Sequence, residues 1–558
     1  MNTRNRPGRS SAAVSQRRRA PYGLGTADKT LPLRPNGRPL FQTVARAGLL
    51  GAPAAGPANP ACSSDSGEPC RHPLTDLTAN DRLLAHEQAV KGRFGAIVPV
   101  LKRIAAEQRQ LDFVQRAQDI ARSELGFELP ESILAEAWVG KLNMRALYGE
   151  AVLRTLRLIA DQVRVNGNGF VHHSETDEHS DTDEHSDTDE VASFFLDCGY
   201  HAVDISPCSD GRLKGLVRYI LRLPDGAIRA RKAYAGAMFD VEENVRRWIE
   251  TELALYREAR PVGPEAQTRY LKIAVYHWSS SNPAQMGCAA HGSNERQAAA
   301  AALQRMREFR EAIQNRFCCG ASVDLLLIGV DTDTDAIKVH VPDGNGDLSL
   351  HRAIDNLQLY RDTVADDRNG ARLKVYQAIR DASSATGWGA GSGEPHEGMR
   401  KLVATLLINN LSQIEYVCGT WGGRYPDIGH AENFISVGDG FDEFQLRNVA
   451  YVAHLRTLEE AVEDMDVGVK IFEKLNVVHG LPVVIAVHFR YDSRVPGSRE
   501  RTVERCRRIR SAVGARYSDL AKSGLIVCGM TVQDAPEGSP LETCDPLDDE
   551  AFHQGSLT

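Results

Sequence analysis

From residue 77 to about residue 164, apolar residues recur at steps of three and four: Leu101, Ile104 and Ala105, then Phe113, Ala117 and Ile120, then Leu153, Leu156 and Ile159. That spacing puts them on one face of successive helices and predicts a small helical domain. Pro130, just after Leu129, marks a place where a helix begins. Beyond Val191 the texture changes to short β-branched apolar runs at residues 322–330, 337–341 and 483–488, separated by helical stretches. These predict an α/β architecture with sheets buried between helices. No apolar run approaches the ~20 residues a membrane-crossing helix needs.

Two stretches of the α/β part resemble each other. IAVYHWSSSNPAQMGCAAHGSNER (273–296) and IAVHFRYDSRVPGSRER (485–501) each run from a strand through a loop to a G-S-x-E-R helix start. A second pair accompanies them: Ile205-Ser206 leads into P-C-S-D-G-R, and Ile435-Ser436 leads into V-G-D-G-F-D. A duplicated unit is expected. In the second copy Val437-Gly438 replaces Pro207-Cys208, and no cysteine precedes its G-S-R-E-R.

Length changes the picture, because 558 residues exceed what one hydrophobic core of roughly 250 to 300 residues can organise. Several domains are therefore expected: a disordered basic tail at 1–73, a helical domain at 74–170, an acidic linker at 171–190, a first α/β domain at 191–430 and a duplicated domain at 431–558. The linker is the repeat HSETDE, HSDTDE, HSDTDE, which has no apolar face and reads as an extended, self-repelling spacer.

The net charge of -8 conceals an asymmetry, since residues 1–46 carry ten Lys or Arg against Asp28 alone. A cationic arm of this kind suits an acidic protein partner, and no recognisable nucleic-acid-binding fold follows it. The amino terminus has no apolar stretch of signal-peptide length, so a cytoplasmic, reducing setting is expected. Eleven cysteines without framework spacing then read as thiols or metal ligands.

Cys208, Asp210 and Arg212 form C-x-D-x-R just beyond a strand expected at 200–205. His277 follows a strand expected at 270–276, and Cys288 lies in a loop able to fold back over the same place. Two thiolates and one imidazole suit zinc, and three protein ligands leave its fourth position for water. Water held there can ionise near neutral pH. Asp210 would accept a hydrogen bond from the resulting zinc hydroxide, with Arg212 keeping Asp210 ionised and oriented. The spacing alone leaves zinc-dependent hydration, another zinc hydrolysis and a packaging scaffold with a structural zinc all open. Three further features read as structural: core thiols at Cys318-Cys319, a solvated turn at Asp331, Asp333 and Asp335, and a solvated arginine-rich helix at 499–510.

At these residues the chain resembles the carboxysomal shell carbonic anhydrases, a diverged branch of the β class once called epsilon. FFLDCGYHAVDISPCSDGRLKG (194–215), RKAYAGAMFD (231–240), GCAAHGSNER (287–296), CCGASVDLLLIGVDTDTDAIKVH (318–340), LLINNLSQIEY (406–416), ISVGDGFDE (435–443) and VPGSRERTV (495–503) carry the resemblance. It implies a helical domain, a zinc-bearing catalytic domain and a second copy without metal. It also implies one Zn²⁺ on Cys208, His277 and Cys288, the dyad Asp210 and Arg212, and a proton shuttle at His430. The reaction implied is interconversion of CO₂ and bicarbonate inside the carboxysome, beside Rubisco. The basic tail would engage Rubisco or the shell. A duplicated fold like a β-class dimer predicts a homodimer or higher homo-oligomer, with no membrane or nucleic-acid partner.

Overall fold

The computed structural model describes residues 71–165, 194–223, 230–257, 268–316, 321–384, 394–426, 432–453 without 440, 442, 443 and 445, 463–535 and 539–544. Residues 1–70 of the basic tail, the HSDTDE repeats, Cys318-Cys319 and His430 lie outside the described residues.

Four helices come first: α1 (Asn80–Ala106), α2 (Phe113–Glu124), α3 (Glu131–Val139) and α4 (Met144–Val165). The three-and-four spacing does bury one face, as Leu101, Ile104, Phe113, Ala117, Leu156 and Ile159 are all buried. Helix α3 begins directly after Pro130, a place where the N–H that proline lacks would have had no intrahelical partner. The Gln118 side chain closes the turn before it, donating to the Leu129 carbonyl at 2.8 Å and accepting from its N–H at 2.9 Å.

The first sheet runs β2 (Ala230–Arg231), β1 (Ala202–Pro207), β3 (Thr268–Trp278), β4 (Ala321–Asp331), β5 (Ile337–His340), β6 (Ala353–Asp355) in spatial order. Its first four members are parallel, β5 runs against them, and β6 reverses again to run with them. The second sheet runs β8 (Ala450–Ala453), β7 (Phe434–Gly438), β9 (Val483–Tyr491), β10 (Ile526–Asp534), β11 (Glu542–Thr543), again four parallel strands closed by an antiparallel one. The central order and directions of the two sheets are therefore the same. The chain is a mixed α/β protein with a helical N-terminal region.

Helices cover the sheets, as buried parallel strands require. In the first sheet α5 (Val241–Arg257) and α6 (Glu295–Arg316) lie together, and α6 packs on β3 and β4. Three further helices follow, α7 (Asn356–Thr363), α8 (Arg368–Ser384) and α9 (Glu397–Trp421). In the second sheet, α10 (Asp466–Leu475) packs on β8 and β9, and α11 (Ser498–Arg516) packs on β9 and β10. The two G-S-x-E-R segments thus start α6 and α11.

The N-terminal helices are joined to the second sheet through one core, in which Leu147, Val152 and Leu153 of α4 cluster with Val484 of β9 and Phe434 of β7. On the other face of that sheet Ile435, Ile485, Val487 and Val532 pack with Cys506 and Ile509 of α11.

Candidate metal centre

Strand β1 is buried at every position and delivers Cys208 one residue past its end. The Cys208 N–H donates to the Val275 carbonyl of β3 at 2.9 Å, so its thiol is fixed beside that strand. His277 is in β3, paired across to Val330 of β4, and not beyond it as the sequence suggested. The strand simply extends two residues further than its apolar run. Cys288 arrives from a loop that closes on itself, its carbonyl accepting from the N–H groups of His291 at 3.0 Å and Ser293 at 2.9 Å.

The thiol sulfurs of Cys208 and Cys288 and one ring nitrogen of His277 lie within 4.8 Å of one another, and all three residues are buried. The two sulfurs are 3.9 Å apart. Two Zn–S bonds of ~2.3 Å meeting at a tetrahedral angle would place them roughly 3.8 Å apart, so the donor set fits zinc in kind and in spacing. His277 Nδ1 is also buried without a hydrogen-bond partner. Among the described residues this is the one such group of His, Cys, Asp or Glu side chains.

Asp210 and Arg212 stand against it. The guanidinium grips the carboxylate twice, Nε to Oδ1 and Nη2 to Oδ2, each at 2.9 Å. Asp210 Oδ1 also accepts the Arg212 N–H at 3.0 Å, which fixes the side chain to its own loop. Its Oδ2 lies 3.3 Å from His277 Nε2. The remaining Arg212 donors reach the Met286 carbonyl at 2.8 Å, Thr332 Oγ1 at 2.9 Å and His277 Nε2 at 3.3 Å. All five N–H groups of the fork are thereby engaged.

This arrangement biases protons strongly. Burial opposes charge on His277, but Asp210 and Cys208 outweigh it and lift its pKa to about 9. The Cys288 S–H hydrogen-bonds Cys208 and holds its thiol well below the ordinary range against the effect of burial, with His277 assisting. The same contact and burial push Cys288 up. The pocket therefore stabilises a thiolate, the form that binds metal.

The second sheet completes the walls. The N–H groups of Asn448 and Val452, flanking and within β8, donate to the carbonyls of Gly211 at 3.0 Å and Ser209 at 3.2 Å. A Cβ at Gly211 would lie 2.7 Å from the Ala450 carbonyl oxygen and 2.8 Å from Glu432 Cγ, so only glycine permits this approach. The corresponding place in the second sheet has no room for a ligand: Gly438 has φ +98°, and a Cβ there would sit 2.3 Å from the His488 carbonyl oxygen.

The five residues expected at 208, 210, 212, 277 and 288 are thus brought together. The turn of Asp331, Asp333 and Asp335 departs from expectation, because it is buried. Ser279, Ser280 and Thr334 hydroxyls and the Ser281 N–H satisfy the first two carboxylates, and Arg447, Gln413 and Tyr425 satisfy the third. Thr332 and Arg447 had no sequence signal, since a turn threonine and an arginine outside any repeat look ordinary until folded.

These features define a buried Cys-His-Cys group able to hold a metal ion, beside an aspartate–arginine pair, on a mixed α/β fold. The family model for the carboxysome shell carbonic anhydrase catalytic domain matches residues 190–430, those for its C-terminal and N-terminal domains match 431–547 and 72–164, and the chain belongs to this family. Carboxysome shell carbonic anhydrase of Halothiobacillus neapolitanus is 47% identical over 97% of this chain and 99% of its own length. Those of Parasynechococcus marenigrum, at 47% over 85% of this chain and 78% of its own, and Prochlorococcus marinus strain MIT 9313, at 44% over 87% and 91%, are similar as well.

Proposed function

We propose that this chain is a zinc-dependent carbonic anhydrase of the carboxysome, interconverting CO₂ and water with bicarbonate and a proton, with one Zn²⁺ held by Cys208, His277 and Cys288. The observation that carries the reading is the three-residue donor set, spaced for zinc and placed against Asp210 in a chain of this family. Zinc held there lowers the pKa of its water from 15.7 to about 7 and so supplies a nucleophile at neutral pH.

The residues around it orient and dry the reaction. Arg212 keeps Asp210 ionised by a bidentate pair. Asp210 would accept a hydrogen bond from the attacking oxygen and so leave that oxygen's lone pair aimed at the CO₂ carbon. The burial of all five side chains excludes bulk water and strengthens each of these interactions. We assign proton export to His430, on the family resemblance alone. Dehydration of bicarbonate in this setting supplies CO₂ to Rubisco, and residues 1–73 attach the enzyme to Rubisco or the shell.

Metal analysis and stopped-flow CO₂ hydration on wild type and His277→Ala test the reading. Wild type should hold one zinc per chain and hydrate CO₂; the variant should lose most of its zinc and about a hundredfold or more of its rate. Full hydration by His277→Ala, or zinc-loaded wild type without hydration, would refute it.

A further inference from the structure

The dyad is braced from outside its own loop. Thr332 has one hydroxyl proton, and the hydroxyl lies 2.9 Å from the Trp278 carbonyl, to which it donates. Toward Arg212 Nη1, also at 2.9 Å, the oxygen can therefore only accept. Thr332 in this way ties the residue next to His277 to the guanidinium that holds Asp210.

The turn carrying Thr332 is itself clamped by Arg447, which precedes β8. Arg447 Nη2 donates to the Thr332 carbonyl at 2.7 Å, and its Nη1 to Asp335 Oδ1 at 3.2 Å. Its guanidinium stacks 3.6 Å from the centre of the Tyr425 ring. Tyr425 and Gln413 donate to Asp335 Oδ2 at 2.8 and 3.0 Å. Thr332 is 1%, Asp335 2% and Arg447 8% exposed, so the clamp operates where water does not compete. Asp335 adopts φ +56°, an unfavourable value for a residue with a side chain, and these contacts hold it there.

We propose that Thr332 is a positioning residue for the Asp210–Arg212 dyad and that Arg447 holds Thr332 in place, so that the C-terminal domain sets the geometry of the catalytic domain's site. The proposal rests on the reading above that Asp210 orients the attacking oxygen. Removing the hydroxyl leaves one Arg212 N–H facing a methyl group, and the fork is free to rotate away from Asp210. Zinc binding is untouched, because none of the three ligands is altered.

The experiment uses full-length protein, loaded with zinc for kinetics and with cobalt for visible spectra. Thr332→Val keeps the shape without the hydroxyl, and Thr332→Ser restores the hydroxyl. Thr332→Val should retain one metal per chain, lose 10- to 100-fold in kcat with KM within about twofold, and alter the cobalt spectrum's response to pH. Thr332→Ser should recover kcat to within about threefold. Arg447→Lys, which cannot span both acceptors, should retain metal and lose about tenfold in kcat. Wild-type kcat and spectrum in Thr332→Val, or Thr332→Ser as impaired as Thr332→Val, would overturn the role of the hydroxyl. Wild-type behaviour of Arg447→Lys would overturn the clamp, including in the event that Thr332→Val does not fold. If wild type itself lacks hydration the functional reading fails, while the cobalt spectra still report whether Thr332 and Arg447 shape the metal's surroundings.

Discussion

His340 ends β5 buried, with its Nε2 2.9 Å from the Tyr276 hydroxyl and its Nδ1 3.4 Å from the Ser349 carbonyl. The carbonyl needs a donor, so Nδ1 carries the proton and Nε2 accepts from the tyrosine. Burial, with a smaller contribution from Lys338, lowers the His340 pKa from 6.5 to about 4. The unfolded chain therefore takes up this proton first on acidification. Its contribution to stability is complete above pH 6.5 and is lost as pH falls toward 4, about 2 kcal/mol of it by pH 5. Urea unfolding of wild type and His340→Gln should show a stability difference that shrinks by that amount between pH 7.5 and 5; a pH-independent difference would contradict this. At this scale the sequence discloses residues whose chemistry is distinctive. Cys208, His277, Cys288, Asp210 and Arg212 were legible because soft donors beside an acid–arginine pair are unusual in any loop. Thr332 was not, because accepting a hydrogen bond from Arg212 depends on where its single proton points. Nor was the burial of Asp331, Asp333 and Asp335, because their donors come from Ser279–Ser281 and from Arg447, far away in the chain.

Among elements, periodicity located the helices of the N-terminal region but not their partner. A stripe of Leu153, Leu156 and Ile159 says which face is buried; only the fold places Leu153 in one core with Val484. Strand ends shifted for a similar reason. The apolar run suggested 200–205, whereas β1 is Ala202–Pro207, because pairing with β3 through Pro207 and Val275 continues the ladder past the apolar residues. The same extension put His277 inside β3. Helix starts were read more accurately, since the two G-S-x-E-R segments open α6 and α11 and their signals are local. The arginine-rich helix also presents Arg501, Arg505, Arg507 and Arg508 at the surface, as a polar stripe opposite Val503, Cys506 and Ile509 requires.

For the whole molecule, two sheets of the same central order meet at the dyad loop, where β8 and the residue before Val449 bond to Ser209 and Gly211. One holds the Cys-His-Cys group. The other has Gly438 where the first has Cys208 and, in register, Phe489 where the first has His277, so it offers no equivalent donors. The likeness between them is one of strand order and direction. No described helix is long and apolar enough to cross a membrane. The ten basic residues of 1–46 carry a charge that suits an acidic protein surface, and the attachment role proposed for them can be tested. A chain lacking residues 1–70 should keep its CO₂ hydration rate and lose salt-sensitive co-sedimentation with purified carboxysome shell or Rubisco; undiminished co-sedimentation would remove the tail from that role. The single open zinc site proposed for Cys208, His277 and Cys288 can be tested by zinc K-edge X-ray absorption on the full-length protein. The spectrum should show one zinc per chain with two sulfurs at ~2.3 Å, one imidazole nitrogen at roughly 2.0–2.1 Å and one further light atom. Absence of zinc, a sulfur-free shell or four sulfurs would contradict it.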